Sequence, residues 1–176
     1  FNPAGEITGR HDKVKLVPFS EQVPYQDKLP FMKKEFLRKY LTFIDRYDVQ
    51  WWSDFLPGDS LVLFEIDDYK YGVLICFEST FPEFSRRAIR KGANFLVGIT
   101  NDTWFGSSVG IHMHSRIFIT RAIENRSWCA RVANSGLTYI VDDYGRVREK
   151  LNLFEVAALI GKVEPLYEYS FFTRHG

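Results

Sequence analysis

Apolar and polar positions along the chain repeat with two different periods, and the changes of period outline its elements. Residues 61–66 and 71–76 are short apolar runs with strand spacing, joined across Asp67-Asp68-Tyr69-Lys70, and predict a hairpin. Residues 82–91 predict a helix, with Pro82 in its first turn and Gly92 just past its end. Residues 94–100 are nearly all apolar and predict a buried strand. A loop rich in Gly, Ser and aromatic residues follows at 101–110, then a second helix at 111–125. Strands are predicted at 127–133 and 137–142, either side of Asn134-Ser135-Gly136. Asp143-Tyr144-Gly145 turns the chain into 146–150, and 156–163 predicts a last strand.

Toward the amino end, Asn2-Pro3-Ala4-Gly5 marks a turn before a short strand at 6–10. Residues 11–21 are extended and closed by Pro18 and Pro24. Residues 30–47 have helical spacing at Phe36, Tyr40, Phe43 and Ile44. Trp51, Trp52 and Phe55 gather before the turn Pro57-Gly58-Asp59. Strands that alternate with helices around residue 76 and form hairpins elsewhere predict a mixed sheet in a layered α/β domain.

Composition narrows the class without naming a function. With 45% hydrophobic and 26% charged residues, a chain of 176 residues buries a core as one domain and is not disordered. A net charge of +1, with acids and bases interspersed, gives no support for nucleic-acid binding. No apolar run approaches the roughly 20 residues that cross a bilayer, so these residues read as a soluble or peripheral piece. The two cysteines, Cys76 and Cys129, lack the spacing of a metal site or a disulfide framework.

Candidate chemistry centres on Gly72-Val73-Leu74-Ile75-Cys76-Phe77-Glu78. An apolar strand ending at Cys76, with Pro82 opening a helix soon after, predicts a thiol near a helix N-terminus. There the dipole and unpaired N–H groups favour a thiolate and then an oxyanion. The plainer alternative is a buried cysteine acting as a small hydrophobe, which is the reading for Cys129. Lys13, beside Asp12 and ahead of Leu16-Val17-Pro18-Phe19, is of a type that stabilises a thiolate or an oxyanion, although most lysines are simply solvated. Glu21 and Glu78 are candidates to orient that lysine or move protons. Asn101, Trp104 and Phe105 directly follow a strand, where ligands usually bind in α/β folds. His112 and His114, two apart on a helix, face different ways and make no metal pair. Arg121, Glu124 and Arg126 predict structural ion pairs.

These stretches, together with Phe81-Pro82-Glu83, Thr100-Asn101-Asp102-Thr103-Trp104-Phe105-Gly106, Arg121-Ala122-Ile123-Glu124-Asn125-Arg126 and Ala133-Asn134-Ser135-Gly136-Leu137-Thr138, resemble the nitrilase (carbon–nitrogen hydrolase) superfamily. Within it they are most similar to the catalytic domain of the bacterial apolipoprotein N-acyltransferases. The resemblance implies a four-layer αββα sandwich, of which residues 1–176 are the later part, a partial domain. It implies an acyl chain moved from a phospholipid onto the N-terminal cysteine amine of an apolipoprotein through a cysteine thioester, with no cofactor. Carried over, Cys76 is the nucleophile, Lys13 the oxyanion-stabilising lysine, Glu21 and Glu78 the accompanying carboxylates, and the Phe77 N–H an oxyanion donor. The family usually has Tyr at Phe77, Gly at Ser20 and His at Lys15.

The resemblance further places a general-base glutamate ahead of Phe1 and the parent in the cell inner membrane, its catalytic domain facing the periplasm. On that basis the 176 residues alone are expected to be inactive or nearly so, since a free thiol with a pKa near ~8.5 is mostly protonated at neutral pH. Two other readings fit parts of the pattern: a soluble nitrilase-type amidase, and a non-catalytic interaction domain of the same fold. The aromatic segments Trp51-Trp52-Ser53-Asp54-Phe55 and Trp104-Phe105, suited to acyl-chain or membrane contact, favour the acyltransferase over the amidase.

Overall fold

The predicted hairpin starts the sheet. In the computed structural model, which describes residues 4–25, 28–33 and 55–176, β1 (Leu63–Ile66) and β2 (Tyr69–Ile75) pair antiparallel across Asp67-Asp68. Asp67 takes a φ of 51°, a left-handed conformation that Asp tolerates better than most residues. β2, β3 (Phe95–Thr100) and β4 (Cys129–Ala133) are parallel; β5 (Tyr139–Val141) and β6 (Val147–Lys150) return antiparallel. The six strands lie in sequence order. Helices α1 (Pro82–Arg90) and α2 (Val109–Asn125) make the two crossovers, and α3 (Phe171–His175) packs against both. Successive crossovers in one direction share a hand and so put both helices on one face of the sheet.

That face holds the core. Leu74, Leu96, Cys129 and Val141 from the strands meet Phe84, Ala88 and Ile89 of α1 and Phe118 and Ala122 of α2. Two glycines let the layers approach. A Cβ on Gly72 would stand 2.6 Å from that of Ala88, and one on Gly98 would stand 2.7 Å from the Phe118 ring. The opposite face is apolar but more open: Phe64, Tyr71 and Phe95 stack in a row, and Ile99 and Val132 are 39% and 50% exposed. Sheet and helical layer together form one half of an αββα sandwich.

Two predicted strands do not form. Residues 6–10 are exposed coil, and 156–163 run without a strand partner, Val156 and Ile160 almost fully exposed. The apolar spacing at 156–163 is real, but a strand needs a neighbour's N–H and C=O groups, and among the described residues no strand pairs with it. Of the predicted helix at 30–47, the described part is the 3-10 turn Pro30–Met32; the remainder lies outside the described residues, as do Trp51 and Trp52. No helix among the described residues is long and apolar enough to cross a membrane.

Candidate active site

β2 stops at Ile75, and Cys76 opens the 3-10 turn Cys76–Thr80 with a φ of 50°, uncommon for any residue but glycine. The turn is tightened by its own hydroxyls: Ser79 donates to the Cys76 carbonyl and Thr80 to that of Phe77, both at 2.7 Å. Pro82 keeps the preceding Phe81 extended, so α1 cannot begin earlier. The expected arrangement is corrected accordingly: a five-residue turn stands between the thiol and the α-helix, and the geometry of Cys76 is that of a strained elbow.

Glu78 is buried within this turn and ties together two distant segments. Its carboxylate accepts from Val14 N and Lys15 N, at 2.5 and 3.2 Å, and from Ile75 N at 2.7 Å. One side chain thereby fixes the lysine segment to the end of the cysteine strand. Burial works to raise the Glu78 pKa, but the adjacent His11 ring and the three backbone donors outweigh it and hold it below the usual carboxylate value. His11 Nε2 stands 3.7 Å from the carboxylate, close enough for attraction and too far for a hydrogen bond.

The lysine segment has no regular structure and takes its shape from Glu21. That carboxylate accepts from Lys13 Nζ at 2.7 Å through both oxygens and from Val17 N at 2.8 Å. The Lys13 side chain is 11% exposed, far from the solvated state typical of lysines. Glu21, Cys76, Phe77, Asn101, Trp104 and Phe105 line one cavity of about 470 Å³, together with Val17, Met113 and Ile117. The structure thus brings six of the predicted site residues to a common space. Lys13 and Glu78 are not part of the lining: Lys13 connects to it through Glu21, and Glu78 through the backbone beside Cys76.

One group of site residues escaped the sequence reading. Asp102, at the end of β3, is fully buried, and binds His114 Nδ1 at 2.9 Å and Arg131 at 2.6 Å. His114 lines the cavity, and its Nε2 stands 3.3 Å from both the Cys76 carbonyl oxygen and Ser79 Oγ. Burial pushes the Asp102 pKa up, but the bonds from His114 and Arg131 outweigh it and leave it lowered. Gly136 is required beside it, since a Cβ there would meet an Asp102 oxygen at 1.9 Å. The available signals were an Asp two residues past a strand and a His in the first half of a helix, each common by itself.

The remaining candidates are structural. Arg121 pairs with Glu124 at 2.9 Å as expected, whereas Arg126 caps α2 in a left-handed conformation and lies over the Tyr144 ring. Cys129 is completely buried in β4, where burial pushes its thiol pKa far up and away from reactivity. Among the described residues no group of His, Cys, Asp and Glu is placed to hold a metal ion.

Curated relatives match all or nearly all of this stretch. An apolipoprotein N-acyltransferase of Geobacter metallireducens is 39% identical over 176 residues, covering 100% of this chain and 31% of that protein. One from Azotobacter vinelandii is 37% identical over 164 residues, covering 93% of this chain and 29% of its own length. The chain therefore spans about a third or less of these relatives. Among solved structures, a variant of an amidase from Nesterenkonia sp. AN1, with acrylamide added at its active-site cysteine, superimposes with a TM-score of 0.52. It is 18% identical and covers 70% of this chain and 48% of that one. A further structure of an amidase from Nesterenkonia sp. gives a TM-score of 0.51 at 18% identity over 69% of this chain and 46% of that one. At that identity the likeness is one of fold. The carbon-nitrogen hydrolase profile matches residues 1–167, and the chain belongs to the carbon–nitrogen hydrolase family.

Proposed function

We propose that this chain is part of the catalytic domain of an N-acyltransferase that moves a fatty acyl chain from a phospholipid to the N-terminal cysteine amine of an apolipoprotein. The observation that carries the reading is Cys76 in the wall of a cavity whose other walls are largely hydrocarbon and aromatic: Val17, Phe77, Trp104, Phe105, Met113 and Ile117. Such a lining suits an acyl chain. The naming of relatives 34–39% identical over most of this chain favours the acyltransferase over the amidase, which is supported by fold likeness alone.

In the first step the Cys76 thiol gives up its proton and its sulfur attacks the ester carbonyl carbon. A C–S bond forms, the ester C–O bond breaks, and the proton passes to the departing lysophospholipid oxygen. In the second step the apolipoprotein amine attacks the thioester carbonyl. An amide C–N bond forms, the C–S bond breaks, and the proton lost from nitrogen restores the thiol. Lys13 and the Phe77 N–H stabilise the oxyanion in both steps. Glu21 orients Lys13, and Glu78 sets the distance between the lysine segment and the nucleophile. Both carboxylates are engaged by these donors, which leaves the role of base to a group elsewhere in the protein, as the resemblance implies. We place the protein at the inner membrane with this site facing the periplasm. The exposed Trp104, Val109 and Met113, on the elements that wall the cavity, suit approach to a lipid surface.

The test offers the purified full-length protein phospholipid vesicles with a diacylglyceryl-cysteine peptide, and separately a panel of small aliphatic amides. Transfer of the acyl chain to the peptide amine is expected. Ammonia release from the amides with no transfer would overturn the proposal.

A further inference from the structure

We propose that His114 is a positioning residue for the nucleophile, its ring held by Asp102 on one side and lodged against the Cys76 carbonyl and Ser79 on the other. The inference rests on the acyltransferase reading for its kinetics, though not for its geometry. Both ring nitrogens are engaged, and Arg131 Nη2 stands 3.4 Å from Nδ1, beside the carboxylate that both bind. Nδ1 stands 2.9 Å from an Asp102 carboxylate oxygen, and Nε2 stands 3.3 Å from the Cys76 carbonyl oxygen. The other neighbour of Nε2, Ser79 Oγ at 3.3 Å, itself donates to the same carbonyl at 2.7 Å, so ring, hydroxyl and carbonyl form one packed group.

The surroundings fit that assignment. Asp102 carries the negative charge on one side, shared with Arg131 at 2.6 Å, and Arg131 is itself anchored on the Leu137 carbonyl. The Phe105 ring packs against the imidazole with its centroid 5.5 Å away. His114 is 6% exposed and Asp102 is fully buried, so water does not replace these partners. The consequence falls on Cys76, whose φ of 50° costs energy that something must offset. Ser79 and His114 converge on its carbonyl and hold the elbow open toward the cavity.

The experiment compares the full-length protein with His114→Ala and His114→Gln, the latter because its amide reaches roughly where Nε2 stands. Rates of thioester formation at Cys76 are measured at saturating phospholipid, well below each variant's melting temperature. The expected result is a fall of about 30-fold or more in His114→Ala with the phospholipid KM little changed, and recovery to within about fivefold in His114→Gln. Equal rates in native and Ala proteins, or a Gln variant as slow as Ala, overturn the proposal. A second readout needs no turnover: the rate at which iodoacetamide alkylates Cys76, read by mass spectrometry, is expected to fall in His114→Ala and to recover in His114→Gln. Equal rates in all three proteins overturn the proposal. The expected pattern in a native protein that forms no thioester supports the positioning role while removing the acyltransferase reading.

Discussion

The two segments that meet at the candidate site are built in opposite ways. The cysteine turn is set by the fold: β2 is hydrogen-bonded on both edges, α1 packs beneath it, and the Ser79 and His114 contacts close on the Cys76 carbonyl. The lysine segment has no strand or helix of its own, and two carboxylates give it shape, Glu21 from within and Glu78 from the cysteine side. The cysteine half is thus preformed, while the lysine half is laid upon it, tied by the Glu78 carboxylate and by the packing of Val14 on the core and of Lys15 over the Phe81 ring. Glu78 is the buried group that hydrogen-bonds the lysine segment to the end of the cysteine strand.

The comparison breaks most completely at the elbow. Cys76→Gly is expected to abolish thioester formation while raising stability by up to about 1 kcal/mol, because glycine accepts the left-handed backbone without strain. A chemical melt of the variant beside the native protein checks this; a clear loss of stability contradicts the claim of strain.

Glu78→Gln should be nearly as damaging to activity and costly to stability as well. An amide keeps one acceptor oxygen for donors that occupy two, so we expect a loss of about 2–3 kcal/mol and a fall in acylation on the order of 100-fold. If the two halves are joined as described, hydrogen exchange at Val14 and Lys15 accelerates in this variant more than exchange in β3 and β4.

Acid should separate the same features more gently. Glu78 and Asp102 both have native pKa values held below their ordinary 4.5 and 3.8. Their stabilising contribution is complete above those ordinary values and is lost as pH falls through the lowered native ones. Stability measured between pH 6 and 3 should therefore drop, and Glu78→Gln should show a shallower dependence.

The smallest effect belongs to the other thiol. Cys129→Ala removes a small buried atom from β4, far from any role in the cavity, and should cost about 1 kcal/mol with the acylation rate unchanged.

Much of this was legible in the sequence because the signals are local. The hairpin, both long helices and the central strands announce themselves by period, Pro82 and Gly92, and fall within about two residues of their predicted places. The strand predicted at 156–163 did not form because pairing is a property of two segments, and one pattern alone cannot supply its partner. Cys76, Glu21 and the Asn101–Phe105 loop could be singled out by motif, and the structure lines one cavity with them. The link made by Glu78 was illegible, since its donors lie on a segment whose approach nothing local encodes. Asp102, His114 and Arg131 were hidden for the same reason: each is ordinary in its own element, and only the sheet brings them together.

The proposed chemistry turns on which thiol carries the acyl chain. Full-length protein incubated with a phospholipid bearing an isotopically labelled fatty acid, quenched in acid and digested, allows Cys76 and Cys129 to be read separately by mass spectrometry. The expected result is a hydroxylamine-sensitive acyl adduct on the Cys76 peptide and none on that of Cys129. Label on Cys129, or transfer to acceptor peptide with Cys76 replaced by Ala, would contradict it.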